Sequence, residues 1–249
     1  TSNWFSDWFY WNKLEFESKI LSSLSEYNIC PKIYIYDNSF KNGILIESFI
    51  DWNQNFIYDK NMNKKISNTI KTLQSISINY DYLDKINNIE KYKQKYNKWI
   101  NNSNNKQITV LHQKVLALIS SYPEFNEQDL NKYVLCHNDL RLDNLIISWE
   151  KAFLIDLEWM SYWDEVIDIA WFFSWNLFFE KFWNNYIFST KDLIDWISNF
   201  NQDYFYIKKC LFFVILQFFS DLCWLENYVS WKNNDDSLKE LLIKNISIF

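Results

Sequence analysis

The sequence predicts an α+β fold in which a small sheet-bearing segment, residues 1–52, precedes a larger and mostly helical one, residues 53–249. Three observations predict it. A helix-spaced run leads into two β-rich runs that flank Asn42-Gly43, a strong hairpin signal. Residues 59–131 keep apolar residues at helical spacing, although Asn and Lys dominate their composition. From residue 133, short β-type runs flank polar loops, and beyond 166 the chain turns aromatic and helical.

In order along the chain, KLEFESKILSSLSEY (13–27) places Leu14, Ile20, Leu21 and Leu24 near helical spacing, and Asn28 with Pro31 stops that helix. IYIYD (33–37) and ILIESFI (44–50) then read as an antiparallel hairpin. Helices are predicted at about 63–77, 88–101 and 108–120. Val134 to Cys136, Leu145 to Ile147 and Phe153 to Ile155 are short β-type runs. Polar spacers near 184–190 and 198–203 break the aromatic helical end, and no internal repeat is present.

The bulk properties narrow the function classes. Of the 249 residues, 49% are hydrophobic and 22% charged, enough apolar material for a real core. A net charge of −6 disfavours nucleic acid or an anionic membrane as partner, since both select basic surfaces. A neutral or cationic small molecule fits better. Cys30, Cys136, Cys210 and Cys223 are scattered, without metal-ligand spacing or a signal peptide ahead of them, which suggests reduced thiols and a cytoplasmic protein. No apolar run reaches the roughly 20 residues that span a bilayer, so no membrane span is expected.

The chemistry lies between His137 and Asp168. Phosphoryl transfer asks for a carboxylate to orient and deprotonate the attacking hydroxyl and for oxygen ligands to hold Mg²⁺. His137-Asn138-Asp139 followed by Asn144 is H-x-D-x-x-x-x-N, with Asp139 as base and Asn144 as a neutral metal ligand. Asp156, after the run Phe153 to Ile155, supplies a charged one. A hairpin turning at Trp149-Glu150 would bring Asn144 and Asp156 side by side. Either motif alone is common by chance; their order and spacing between β-type runs are not.

The stretch CHNDLRLDNLIIS…KAFLIDLEWMSYWDEVIDIA resembles the core of the choline/ethanolamine kinase family, a branch of the aminoglycoside-phosphotransferase-like kinases. More weakly, ESKILSSLSEYNICPKIY (17–34) is similar to the family's helix-then-strand segment, and ILIESFIDW (44–52) to its hinge strand. The resemblance implies a protein-kinase-like two-lobe fold, its N-terminal lobe truncated in this chain and its C-terminal lobe mostly helical. It implies ATP and Mg²⁺ as cofactors, Asp139 as catalytic base, and Asn144 and Asp156 as metal ligands. Glu17 would pair with a nucleotide-binding lysine, and Glu47 to Phe49 would lie along the adenine. Glu158 would be a further acid near metal or substrate, while His137 and Asp168 would hold the loop. Neither the family's phosphate-covering glycine loop nor its lysine is identifiable ahead of Glu17, and Lys13 is too close to the helix to serve. His112 takes no role.

For the substrate, aromatic faces and a carboxylate suit a quaternary ammonium. Gln217, Asp221 and Trp224 share a helix face, with Tyr228 four residues on, and resemble the late helix that closes the pocket in choline kinase-like proteins. Choline or ethanolamine is the favoured acceptor. An aminoglycoside or other hydroxyl substrate remains a second reading, and a non-catalytic kinase-like binding protein a third, since the missing lysine and loop leave open whether this chain is active.

The chain has one glycine and 14 tryptophans, where average usage gives roughly 17 glycines. Trp52, Trp149 and Trp163 fall where the family pattern has turn residues that favour positive φ. Our hypothesis is that many tryptophans are glycines in the native protein, written by reading a reassigned UGA codon with the wrong table. Sequencing the coding DNA tests it: UGA is expected at these three positions, and UGG there ends the idea.

Overall fold

The structure, a computed structural model, describes residues 13–37, 44–51, 60–78, 83, 93–94, 96–98, 106–120, 133–174 and 190–224. Helix α1 (Lys13–Leu24) buries Ile20, Leu21 and Leu24 on one face and carries a Glu15–Lys19 ion pair of 2.7 Å one turn apart on its outer face. A 3₁₀ turn at Ser25–Tyr27 continues it until Asn28, at φ 55°, adopts the left-handed conformation and ends the helical path. Strands β1 (Ile33–Asp37) and β2 (Ile44–Glu47) pair antiparallel, with Asp37 opposite Ile44 and a bulge between Ile33 and Ile35. The Asn42-Gly43 turn lies outside the described residues.

Helices α2 (Lys60–Ser75) and α3 (Lys106–Ser120) start two or three residues before their predicted positions. The helix predicted at 88–101 falls mostly outside the described residues, of which 93–94 and 96–98 are helical. Met62, Ile66, Ile70 and Leu73 form the buried stripe of α2 at a spacing of four, four and three.

Strands β3 (Tyr133–Cys136), β4 (Leu145–Ile147), β5 (Ala152–Leu154) and β6 (Ser161–Asp164) form two further two-stranded antiparallel sheets, β3 with β6 and β4 with β5. The β4–β5 register sets Leu145 opposite Leu154 and Ile147 opposite Ala152, so the hairpin tip falls at Ser148 to Lys151. Helix α4 covers 167–174, followed by α5 (Thr190–Ser198) and α6 (Tyr204–Trp224). α6 is buried on nearly every side, with Cys210, Phe212, Phe213, Val214, Leu216, Phe218, Phe219, Leu222 and Cys223 all in the core. Even so, no helix among the described residues is long and apolar enough to cross a membrane.

Two tryptophan expectations need correction. Trp163 does not occupy a turn: it sits in β6, opposite Val134, in the extended conformation that aromatic residues favour. Trp149 does sit at the hairpin tip and is 80% exposed, but its φ is not positive. Among the described residues the left-handed positions outside glycine are Asn28, Asn138 and Asp156, the two residue types that accept this conformation at least cost. Trp52 lies outside the described residues.

Helix α2 braces the β4–β5 hairpin from behind. Thr69 Oγ1 donates to the Ala152 carbonyl at 2.8 Å and Lys65 Nζ to Ser148 O at 2.8 Å, while Gln74 Nε2 donates to Glu165 O, just past β6, at 2.7 Å. Ala152 is fully buried, so its carbonyl has no water to fall back on. Thr69→Val keeps the shape and removes the donor; it is expected to lower unfolding free energy by about 1–3 kcal/mol in urea titration.

Candidate active site

The loop after β3 is held by one buried carboxylate. Asp168, in the first turn of α4, accepts the backbone N–H of His137 through Oδ2 at 2.9 Å and that of Asn138 through Oδ1 at 2.8 Å. Asp168 is fully buried, and burial pushes its carboxyl up to about 6 against the pull of these two N–H groups. The clamp holds Asn138 at φ 63°, a conformation that turns the chain sharply into Asp139.

His137 reaches across to the residue that follows β5. Its Nε2 lies 2.9 Å from the Ile155 carbonyl, which can only accept, so Nε2 carries the proton. Nδ1 then accepts the Asp139 N–H at 3.3 Å. The ring is neutral in this arrangement, and burial lowers its pKa to about 4.

Asp139 is partly exposed and carries a carboxyl pushed up to about 6 by burial, with Arg141 and Asn144 opposing the shift. Arg141 Nε stands 3.6 Å from Asp139 Oδ1 and 3.1 Å from Asp143 Oδ1. A 3₁₀ turn at Leu142–Asn144 folds Asn144 back, so that its Nδ2 donates to Asp139 O at 2.8 Å and to Asp139 Oδ2 at 2.9 Å. With its nitrogen committed, Asn144 has its amide oxygen left for a ligand.

The ladder between β4 and β5 runs one step further, Ile155 N–H donating to Asn144 O at 3.1 Å. Asp156 therefore follows directly beside Asn144, at φ 59°. An amide oxygen and a carboxylate form a hard, oxygen-only donor pair that fits Mg²⁺. Among the described residues no three His, Cys, Asp or Glu side chains gather into a metal cluster. The structure thus brings Asp139, Asn144, Asp156 and His137 together, with Asp168 behind them.

Glu158 lies in the 3₁₀ turn Leu157–Trp159 that follows Asp156. Against this turn packs α1, whose Glu17 Oε1 accepts the Leu157 N–H at 3.4 Å. Glu47 sits on β2 and is pushed up by burial and then by Glu17, which places two acids near each other at this end. Phe49, just past β2, is 85% exposed. Asp221 lies inside α6, 5% exposed, accepting from Gln217 Nε2 at 2.8 Å and from the Ser174 hydroxyl. The side chain of Trp224, like Tyr228, lies outside the described residues. On sequence alone Asn138, Arg141 and Ser161 take no role, although the resembling family pattern carries Asn138 between His137 and Asp139 and an Asn at a strand-to-loop turn often takes left-handed φ.

A model of the choline/ethanolamine kinase family matches residues 11–249. The chain belongs to this family of small-molecule kinases. No curated protein matches it. Among solved structures, the choline kinase LicA from Streptococcus pneumoniae aligns with a TM-score of 0.65 at 17% identity, over 98% of this chain and 83% of its own. The ethanolamine kinase of Plasmodium vivax aligns at 0.59 and 18% identity, over 95% and 71%. A spectinomycin phosphotransferase solved with ADP and spectinomycin aligns at 0.56 and 14% identity, over 94% and 78%. At these identities the structural likeness shows the shared protein-kinase-like fold, while the family match carries the kinship.

For this choline/ethanolamine kinase family member, His137 sets a pH signature. A histidine whose folded pKa lies below its unfolded value takes up a proton on unfolding. Its contribution to stability is therefore complete above the unfolded value near 6.5 and fades as pH falls towards the folded value of about 4. Wild type and His137→Gln share the titrating carboxylates, so comparing the two isolates the histidine. The stability advantage of wild type at pH 7 is expected to shrink by about 3 kcal/mol by pH 4 in denaturant titrations; a constant gap would contradict a buried neutral imidazole.

Proposed function

We propose that this chain transfers the γ-phosphoryl group of ATP to the hydroxyl of a small amino alcohol, choline or ethanolamine. The observation that carries the reading is the Asn144 amide bonded to Asp139 with Asp156 next in the ladder. A base and two oxygen ligands lie on one short stretch of backbone, as in-line phosphoryl transfer requires.

In this reading Asp139 accepts the proton of the attacking hydroxyl. Its raised proton affinity suits that work better than that of an ordinary surface carboxylate. Asn144 and Asp156 hold Mg²⁺, which when bound neutralises charge on the phosphate oxygens. Glu17, Glu47 and Phe49 serve the nucleotide side, and ADP bound in the spectinomycin phosphotransferase supports ATP as donor. Glu158 and Trp224 serve the substrate side, where a carboxylate and an aromatic face favour a cationic head group. Asp221, expected there from its helix face, is instead buried and bonded to Gln217 and Ser174, so it orders α6 from within. A two-lobe division near residue 52, with the cleft between lobes, belongs to the same reading.

A cytoplasmic location is supported by the thiols. Cys30, Cys136, Cys210 and Cys223 are all free and buried. Burial pushes the Cys30 thiol up to about 12 and those of Cys136 and Cys210 up as well, so they behave as core residues rather than nucleophiles.

Turnover of ATP by the correctly translated, full-length protein with Mg²⁺ decides between acceptors. Choline or ethanolamine is expected to be phosphorylated and aminoglycosides much less so. Asp139→Asn is expected to lower kcat by about 10²–10⁴-fold, the usual contribution of a positioned base. Activity on aminoglycosides alone would move the assignment to that branch, and no turnover with any acceptor would favour a kinase-like binding protein.

A further inference from the structure

Besides His137, a second side chain ties the Asp139 loop to the Asp156 loop, and it belongs to neither ligand set. Asn138 Nδ2 donates to Trp159 O at 2.9 Å and to Ser161 Oγ at 2.7 Å, with a longer approach of 3.4 Å to Cys136 O. An amide nitrogen has two hydrogens, and the two short bonds use both. His137 meanwhile holds the other end of the same stretch through Ile155 O. The segment 155–161, which carries Asp156 and Glu158, is thus pinned at both ends by neighbouring residues of the loop that carries Asp139.

The rest of Asn138 argues against a purely stabilising role. It sits in the left-handed region at φ 63°, where glycine would fit at no steric cost. Its Oδ1 is buried with no hydrogen-bond partner, a cost that glycine would also avoid. A glycine would lose the two bonds across to Trp159 and Ser161 and the longer approach to Cys136 O.

We infer that Asn138 is a positioning residue: its side-chain amide sets the distance and angle between the base Asp139 and the metal ligand Asp156. The inference rests on the roles proposed for those two residues. Removing a residue that orients ligands without touching the metal costs 10–100-fold in metal affinity or activity in comparable sites.

Asn138→Gly and Asn138→Ala separate the amide from the backbone, because glycine relieves the positive φ while alanine strains it. If the amide is the brace, Asn138→Gly folds, yet loses about 10–100-fold in kcat and in affinity for Mn²⁺ measured by electron paramagnetic resonance with ADP present. Backbone amides of peptides covering 155–161 should also exchange with deuterium about tenfold faster. Ser161→Ala removes one of the two acceptors and should shift the same readouts in the same direction to a smaller extent. Wild-type exchange across 155–161 in Asn138→Gly, with wild-type Mn²⁺ affinity, overturns the inference. Should Asn138→Gly fail to fold, unchanged exchange in Ser161→Ala overturns it instead. If wild type itself binds no Mn²⁺, the metal assignment fails, and amide exchange still decides whether the brace exists.

Discussion

Two hydrogen bonds to one buried carboxylate organise this molecule. Asp168 accepts from successive backbone N–H groups of His137 and Asn138, and bonds to a charged acceptor are about twice as strong as neutral ones. Without that acceptor, two buried donors at the end of β3 would be orphaned. With it, the chain is forced through a left-handed residue and delivers Asp139 at a fixed angle. Asp168 is placed in turn by the start of α4, whose preceding turn is tied down by the Val166 N–H to Asp164 Oδ1 at 3.2 Å. Lys209 on α6 reaches Asp164 Oδ2 at 2.8 Å, so the long core helix anchors the turn that anchors the loop.

This arrangement accumulates negative charge in a dry interior, and its consequences differ by position. Burial raises the carboxyls of Asp139, Asp164 and Asp168, to about 6, 7 and 6. For Asp164 the ammonium of Lys209 lies in direct contact and opposes protonation, so we read the pair as ionised. For Asp168 only amide dipoles oppose it. Asp139 is the partly exposed one of the three, and a bound cation beside it would oppose the upward shift. A carboxylate that reaches solvent at the end of a rigid loop can meet a substrate; one sealed behind the loop cannot.

The parts legible in the sequence are those written in local pattern. The runs Leu145 to Ile147 and Phe153 to Ile155 announce a hairpin, and the spacing of Asp139 to Asn144 leaves room for the 3₁₀ turn Leu142–Asn144 that brings Asn144 back to Asp139. Strand β6 was not legible, because Ser161–Asp164 is four residues long and pairs with Tyr133–Cys136, some 28 residues earlier, across the whole hairpin. Asn138 escaped for a related reason: its partners lie 21 and 23 residues on, and no periodicity encodes them. The internal engagement of Asp221 was equally hidden, since Ser174 stands 47 residues away. Local codes specify elements; the bonds between loops come from the tertiary fold.

The tryptophans divide by the same logic. Trp196 is fully buried, stacked on Phe172 at 4.7 Å, packed edgewise against Phe173 at 5.4 Å and tilted against Phe200 at 4.9 Å. Glycine there would cost α5 helix propensity and remove the largest side chain of that cluster, a change in the class that costs about 3–5 kcal/mol. Trp149 at an exposed hairpin tip contributes no such packing, and glycine there would ease the turn. Codon reassignment applies to every UGA alike, so the packing around Trp196 and the exposure of Trp149 pull against each other. The conflict is removed if the two residues are encoded differently, Trp196 by UGG and Trp149 by UGA.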